Sequence, residues 1–168
     1  MPLTEIGQLG ITRKARSGIP EHLHTGIDIS RPSSNYQEDI PIYAISPGIV
    51  ISLRYDGPFA QIIIEHSYDD VRFWTLYEHV SGINVELHEH ISSQSQIARF
   101  FNATELEKFG WQFNHFHFEV LKITPLKINP TAENPDRHFR SYTLECYSEK
   151  ELIKYFYNPI EFFLKFGR

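Results

Sequence analysis

Two short stretches concentrate groups able to bind a metal ion. In HLHTGID, His24 and Asp28 lie four residues apart, an even spacing that turns both side chains to one face of an extended segment. Gly26 between them lets the backbone bend so that the two groups converge. In NHFHFEV, His115 and His117 share a strand face with Glu119, while Phe116, Phe118 and Val120 take the opposite, buried face. His79 closes the run VRFWTLYEH, on the face of Tyr77, Thr75 and Phe73. Zinc takes neutral imidazole and carboxylate ligands, and a catalytic site uses three of them with one position left for water. Two histidines and one aspartate meet that requirement. The carboxylate offsets part of the metal charge, and the remainder lowers the pKa of bound water toward about 7. Two further histidines nearby are then available to take its proton and to steady an oxyanion.

The chain carries nine histidines in all, and the others read differently. His66, after QIIIE, suits a structural hydrogen bond at a strand end. His88 and His90 alternate onto one face without an accompanying carboxylate motif and read as surface residues. His22 shares the face of His24 and is the most plausible false ligand. His138 falls in an irregular segment and reads as solvated.

The elements that must position these groups are mostly strands. IPIYAI (40–45) and GIVISLRY (48–55) flank the turn signal Ser46-Pro47-Gly48. Asp56-Gly57-Pro58 breaks the chain before FAQIIIEH (59–66), and Ser67 to Asp70 predicts a hairpin turn into VRFWTLYEHV (71–80). Short strands at close spacing predict antiparallel sheets packed as a sandwich or open barrel. A short helix is predicted over Ala103 to Phe109, capped by Asn102 or Thr104 and followed by Gly110. Ser148 to Glu151 is a capping-box pattern opening a helix to about Tyr157, and Asn158-Pro159 starts another. Residues 122–147 read as an insertion with little regular structure.

Composition narrows the class. A chain of 168 residues, 41% hydrophobic and 22% charged, predicts one soluble globular domain with a core that needs no disulfide staples. A net charge of −5 argues against a general nucleic-acid binder or a basic lipid-binding surface. No apolar run is long enough for a transmembrane helix. The single Cys146 excludes an intramolecular disulfide and a cysteine zinc cage. The N-terminus lacks the apolar core of a secretory signal. It predicts either a chain that works where it is made or one whose signal has been removed. Oligomeric state is not legible.

HLHTGIDI, PIYAISPGIV, IIIEH, WTLYEHV and NHFHFEV, in that order, resemble the motifs of the lysostaphin/LytM-type peptidoglycan endopeptidases. The resemblance spans residues 22–121 and returns at NPIEFF. It implies a mainly β fold of the duplicated-hybrid-motif type, with antiparallel sheets forming an open sandwich or groove and short peripheral helices. It implies one catalytic zinc held by His24, Asp28 and His117, with His79 and His115 as catalytic histidines. The implied reaction is hydrolysis of peptide bonds in peptidoglycan cross-links or stem peptides, in an extracytoplasmic location. One peptidase domain over 1–168 follows: a lead-in over about 1–21, a core over 22–121, the insertion at 122–147 and a helical closing segment over 148–168.

The chain departs from the family pattern in places. ARFFNATELEKFGWQFN replaces a glycine-rich approach to the H-x-H strand, Glu78 stands where a small residue is usual, and 122–157 is far longer than the usual connection. Segments 93–114 and 122–147 are therefore expected to wall the groove. Three alternatives remain: a non-catalytic domain of this fold that binds cell wall or activates an amidase, a non-haem iron oxygenase with a two-His-one-carboxylate triad, and a peptidase for ordinary proteins instead of cell wall. The oxygenase motif normally begins H-x-D, and it has no need of His79 or His115.

Overall fold

The computed structural model describes residues 3–55 and 57–166, so Asp56 of the Asp56-Gly57-Pro58 break and the two residues at each end of the chain lie outside the described residues. Near the N-terminus, β1 (Thr12–Arg13) and β2 (His22–Leu23) form an antiparallel ribbon. There follow β3 (Ile27–Ser30), β4 (Pro41–Tyr43), β5 (Gly48–Arg54), β6 (Gln61–Tyr68), β7 (Val71–Glu78), β8 (His90–Ile91) and β9 (Gln96–Arg99). Helix α1 (Ala103–Phe109) leads into β10 (His115–Leu121), and β11 (Leu126–Lys127) pairs with β12 (Phe139–Arg140). The chain closes with α2 (Glu149–Tyr155), β13 (Phe156–Tyr157) and α3 (Pro159–Phe166).

The main sheet is antiparallel, in the order β13-β10-β7-β6-β5-β8, with β3 also pairing β10. The architecture is mainly β, as the sequence predicts. The hairpin turn tightens to Asp69-Asp70, because β6 and β7 pair as far as Tyr68 and Val71; Asp69 takes the positive φ of 50° such a turn favours. Strand β4 pairs with β9 in a separate ribbon.

Both faces of the sheet are covered, which explains why Ile62, Ile63 and Ile64 are all fully buried instead of alternating. The larger core takes Ile62, Ile64, Tyr77, Phe116, Phe118 and Val120 on one face. On the other face Ile63, Trp74, Leu76 and Leu121 pack with Cys146, Leu152 and Phe156. That second core occupies only one end of its face. Along β10 the same face runs His115, His117, Glu119, Leu121, so the polar end is where the site forms.

The helices follow their caps. Asn102 and Glu105 form a complete capping box at α1. Helix α2 is shorter than the sequence predicts: it stops at Tyr155, and Phe156 and Tyr157 extend to pair with Leu121 and Val120. Burying Phe156 against the sheet outweighs another helical turn. At α3, Asn158 Oδ1 accepts from the Ile160 backbone N–H.

Candidate metal centre

Strands β3 and β10 bring the two motifs together, with Asp28 directly opposite His117 in register. Their close approach depends on Gly26, where a Cβ would lie 2.2 Å from the Phe118 carbonyl oxygen. The chain bends at 24–26 between β2 and β3, so His24 reaches the same point from outside the sheet. His24 Nε2, His117 Nδ1 and Asp28 Oδ1 lie 2.9–3.0 Å from one another, and all three residues are buried.

The outer partners of the two rings fix what these atoms can offer. His24 Nδ1 donates to the Gln8 carbonyl at 2.9 Å. His117 Nε2 donates to Glu119 Oε1 at 3.0 Å. Both outer partners only accept, so in neutral rings His24 Nε2 and His117 Nδ1 carry lone pairs. With Asp28 Oδ1, three lone pairs then converge within 3.0 Å, an arrangement that calls for a cation. Three donors on a tetrahedral zinc with bonds of about 2.0–2.1 Å stand about 3.3 Å apart, so relaxation by a few tenths of an ångström seats the ion. The donor set therefore fits zinc. A proton can fill part of this role: burial opposes it, yet hydrogen bonds with Asp28 and Glu119 push the His117 imidazole up to about 10. Metal binding displaces that proton.

A second layer holds these three residues. Glu119 is fully buried and accepts from the hydroxyls of Thr25, Ser141 and Thr143 as well as from His117. Burial works to raise its carboxyl, but these hydrogen bonds lower it, His117 foremost. Burial likewise works to raise Asp28, and hydrogen bonds with His117 and His24 hold it well below the usual carboxylate range. Arg13 Nη2 takes the other carboxylate oxygen, Asp28 Oδ2, at 2.7 Å, leaving Oδ1 for the converging site. Thr4 N–H donates to the Asp28 carbonyl and Asp28 N–H to the Gly7 carbonyl, while Gly10 N–H donates to the His24 carbonyl and His24 N–H to the Ile11 carbonyl, lacing the N-terminal segment onto residues 24–28.

His115 and His79 stand beside the triad. His115 Nε2 is 3.7 Å from Asp28 Oδ1, and the His115 and His79 ring centroids are 5.2 Å apart. Strand β7 ends at Glu78, and His79 adopts φ 62°, so it leaves the face of Tyr77, Thr75 and Phe73 that strand alternation assigns it. This left-handed turn brings its ring to His115 and Phe113. Its Nδ1 donates to the Pro58 carbonyl at 2.6 Å. Burial lowers both His79 and His115 to about 4, so both are neutral at pH 7.

The remaining histidines stay outside. His22 is buried and donates to the Pro20 carbonyl. His66 bonds the Pro47 carbonyl and Thr75 Oγ1. His88 and His90 are exposed, and His138 is half-buried.

A groove of about 350 Å³ opens over the triad and is lined by Arg13, Lys14 and Arg16 of the N-terminal segment, by Gln112 and Phe113, and by Thr143. Segment 93–114 thus contributes Gln112 and Phe113 to its walls, and segment 122–147 contributes Thr143. The sequence reading assigned no role to the N-terminal segment, nor to Arg13, Thr25, Ser141 and Thr143. The signal available was the cluster Arg13, Lys14 and Arg16 on an acidic chain.

The sequence profile of Peptidase family M23 matches residues 22–131. Comparison with curated proteins gave no match. Among solved structures, lysostaphin in solution superposes with a TM-score of 0.56 at 17% identity, over 94% of this chain and 49% of that one. The antimicrobial peptidase lysostaphin from Staphylococcus simulans gives 0.53 at 16% identity, over 96% and 50%. The catalytic domain of the prophage-encoded M23 protein EnpA from Enterococcus faecalis gives 0.46 at 20% identity, over 83% and 92%. The chain spans about half the length of the lysostaphin chains, and it shares their fold. With more than half of its length matched by one profile, the chain belongs to Peptidase family M23.

Proposed function

We propose that the chain is a zinc-dependent endopeptidase that hydrolyses peptide bonds in peptidoglycan cross-links or stem peptides, working outside the cytoplasm as a single peptidase domain. The observation that carries this reading is the meeting of three lone pairs, from His24, Asp28 and His117, at the floor of a groove. When bound there, zinc supplies a Lewis acid and a water of lowered pKa. Asp28 and the two imidazoles hold it, and Glu119 and Arg13 keep those groups oriented. The two flanking histidines have different parts. His79 Nδ1–H is committed to the Pro58 carbonyl, so its Nε2 presents a lone pair and takes the proton of the attacking water. His115 then donates its N–H to the oxygen of the scissile carbonyl as charge builds there. Phe59 and Phe113 pack on His79 and shield its ring from water.

The test is incubation of the purified protein with peptidoglycan of several chemotypes, with and without a chelator, and mass analysis of released fragments. Cleavage abolished by chelation and restored by zinc is the expected result. Binding without cleavage in the zinc-loaded protein would favour a non-catalytic cell-wall binder, and iron in place of zinc on metal analysis would favour the oxygenase alternative.

A further inference from the structure

The segment that stands in place of a glycine-rich approach to the H-x-H strand ends in the 3₁₀ turn Trp111–Phe113, just before β10. Gln112 and Phe113 of this turn line the groove over the triad, and Trp111 before them is 51% exposed. Trp111 is nonetheless held in place. The Tyr36 and Trp111 rings meet at 84° with centroids 5.0 Å apart, and Asn114 Nδ2 donates to the Tyr36 hydroxyl at 3.0 Å. Arg31 lies over the Tyr36 ring, 5.5 Å from its centroid. Arg31 is buried, and its guanidinium donates to the backbone carbonyls of Ser33, Asn35, Glu38 and Phe101, which fixes the loop that carries Tyr36.

An exposed aromatic ring on a rigid support offers a ligand apolar area at little entropic cost. None of Tyr36, Trp111, Gln112, Phe113 and Asn114 is charged at pH 7, so the surface they form suits a neutral ligand. The ligand needs a flat apolar face for the indole and a polar edge for its surroundings. A pyranose sugar has that form, with axial C–H groups on its faces and hydroxyls around its rim. The exposed Gln112 amide supplies both a donor and an acceptor for such a rim.

We propose that Trp111 and Tyr36 form a glycan subsite, on which a sugar ring of the strand bearing the stem peptide stacks while the peptide lies in the metal-centre groove. The proposal rests on the hydrolytic reading above and names its substrate class: cross-links still attached to glycan, in preference to free peptides. Continuity with the groove places the subsite, because the platform and the groove wall belong to one 3₁₀ turn. Four residues of chain lead from Trp111 to His115, a span of at most about 14 Å, so one substrate can reach both. Covering roughly 50–60 Å² of apolar surface on the indole is worth about 10-fold in affinity.

The test compares cross-linked stem peptides still joined to short glycan strands with the same peptides freed of glycan. Turnover by mass spectrometry is measured for the zinc-loaded wild type, Trp111→Ala and Trp111→Phe, with zinc content as the check on folding. Wild type should show a lower KM for the glycan-bearing substrate by about 10-fold. That preference should fall toward one in Trp111→Ala and be partly kept in Trp111→Phe, which retains a ring. Equal handling of the two substrates by wild type overturns the subsite, as does a preference that survives in zinc-replete Trp111→Ala. Loss of turnover on both substrates alike in Trp111→Ala also overturns it, since the indole would then contact the peptide. If neither substrate is cut, binding of a soluble β-1,4-linked N-acetylglucosamine tetramer decides. The chain has two tryptophans and Trp74 is buried, so an emission change on adding the tetramer reports Trp111, and calorimetry measures the affinity in each variant. Binding that Trp111→Ala loses sustains the subsite and removes the hydrolytic reading, whereas no binding, or binding that Trp111→Ala keeps, removes both.

Discussion

Asp28 divides its two oxygens between two jobs, with Oδ1 turned to the histidines and Oδ2 held by Arg13 at 2.7 Å. Outer partners of this kind typically change metal affinity by about 10–100-fold when removed. Arg13→Gln should therefore weaken zinc binding on that order, as read by competition with a chromophoric chelator, while the fold persists. Unchanged affinity would reduce Arg13 to a surface ion pair. The flanking histidines separate from the ligands in the same kind of assay. His79→Ala and His115→Ala should keep most of their zinc yet lose turnover by about 10²–10⁴-fold, the usual worth of proton handling. His117→Ala should lose both. His115→Ala losing metal as fully as His117→Ala would overturn the division of roles. At this scale the sequence carries a great deal, because an H-x-H on a strand and an even H-x-x-x-D spacing fix which side chains share a face. It does not carry the contact of Arg13 with Asp28 or those of the hydroxyls on Glu119, since these join residues 15 to 94 positions apart and no local period signals them.

Among the elements, the strands and capped helices follow local chemistry closely; α1 begins and ends where Asn102, Glu105 and Gly110 place it. The misses occur where tertiary packing overrides local preference. Tyr155 ends α2 because Phe156 is claimed by the sheet, and His79 turns off its strand at a positive φ. The long segment before α2 also has a different part from the one its length suggests. Its Ser141 and Thr143 hydroxyls hold Glu119, which orients His117. Replacing all of 122–147 with a short link should therefore deplete zinc as well as alter substrate preference. Shortening just the largely exposed tip at 131–135 should leave zinc content near one per chain. Full zinc in the complete replacement, by elemental analysis, would show that Glu119 needs no support from this segment.

For the molecule as a whole, two cores on opposite faces of one sheet leave a polar end for chemistry, and acid should expose the cost of burying neutral histidines. His66 is 1% exposed, and burial lowers it from 6.5 to about 4. The unfolded chain binds that proton first, so the contribution of His66 to stability is complete above pH 6.5 and declines as pH falls toward 4. A shift of that size corresponds to about 3 kcal/mol. Thermal melts should show the wild type losing stability over this window more steeply than His66→Gln. Parallel pH profiles would mean that His66 is not held neutral. Overall architecture was legible in the order of the motifs, and the expected walls from 93–114 and 122–147 supply Gln112, Phe113 and Thr143; the wall formed by Arg13, Lys14 and Arg16 was not legible, because that segment has no period or motif to read.

The central claim is that His24, Asp28 and His117 together hold the metal on which peptide hydrolysis depends. Zinc content per chain, measured by elemental analysis after dialysis against trace zinc, tests it most directly across the wild type, His24→Ala, Asp28→Ala and His117→Ala. The account predicts one zinc in the wild type and a sharp loss in each variant; full occupancy retained in all three variants would contradict it.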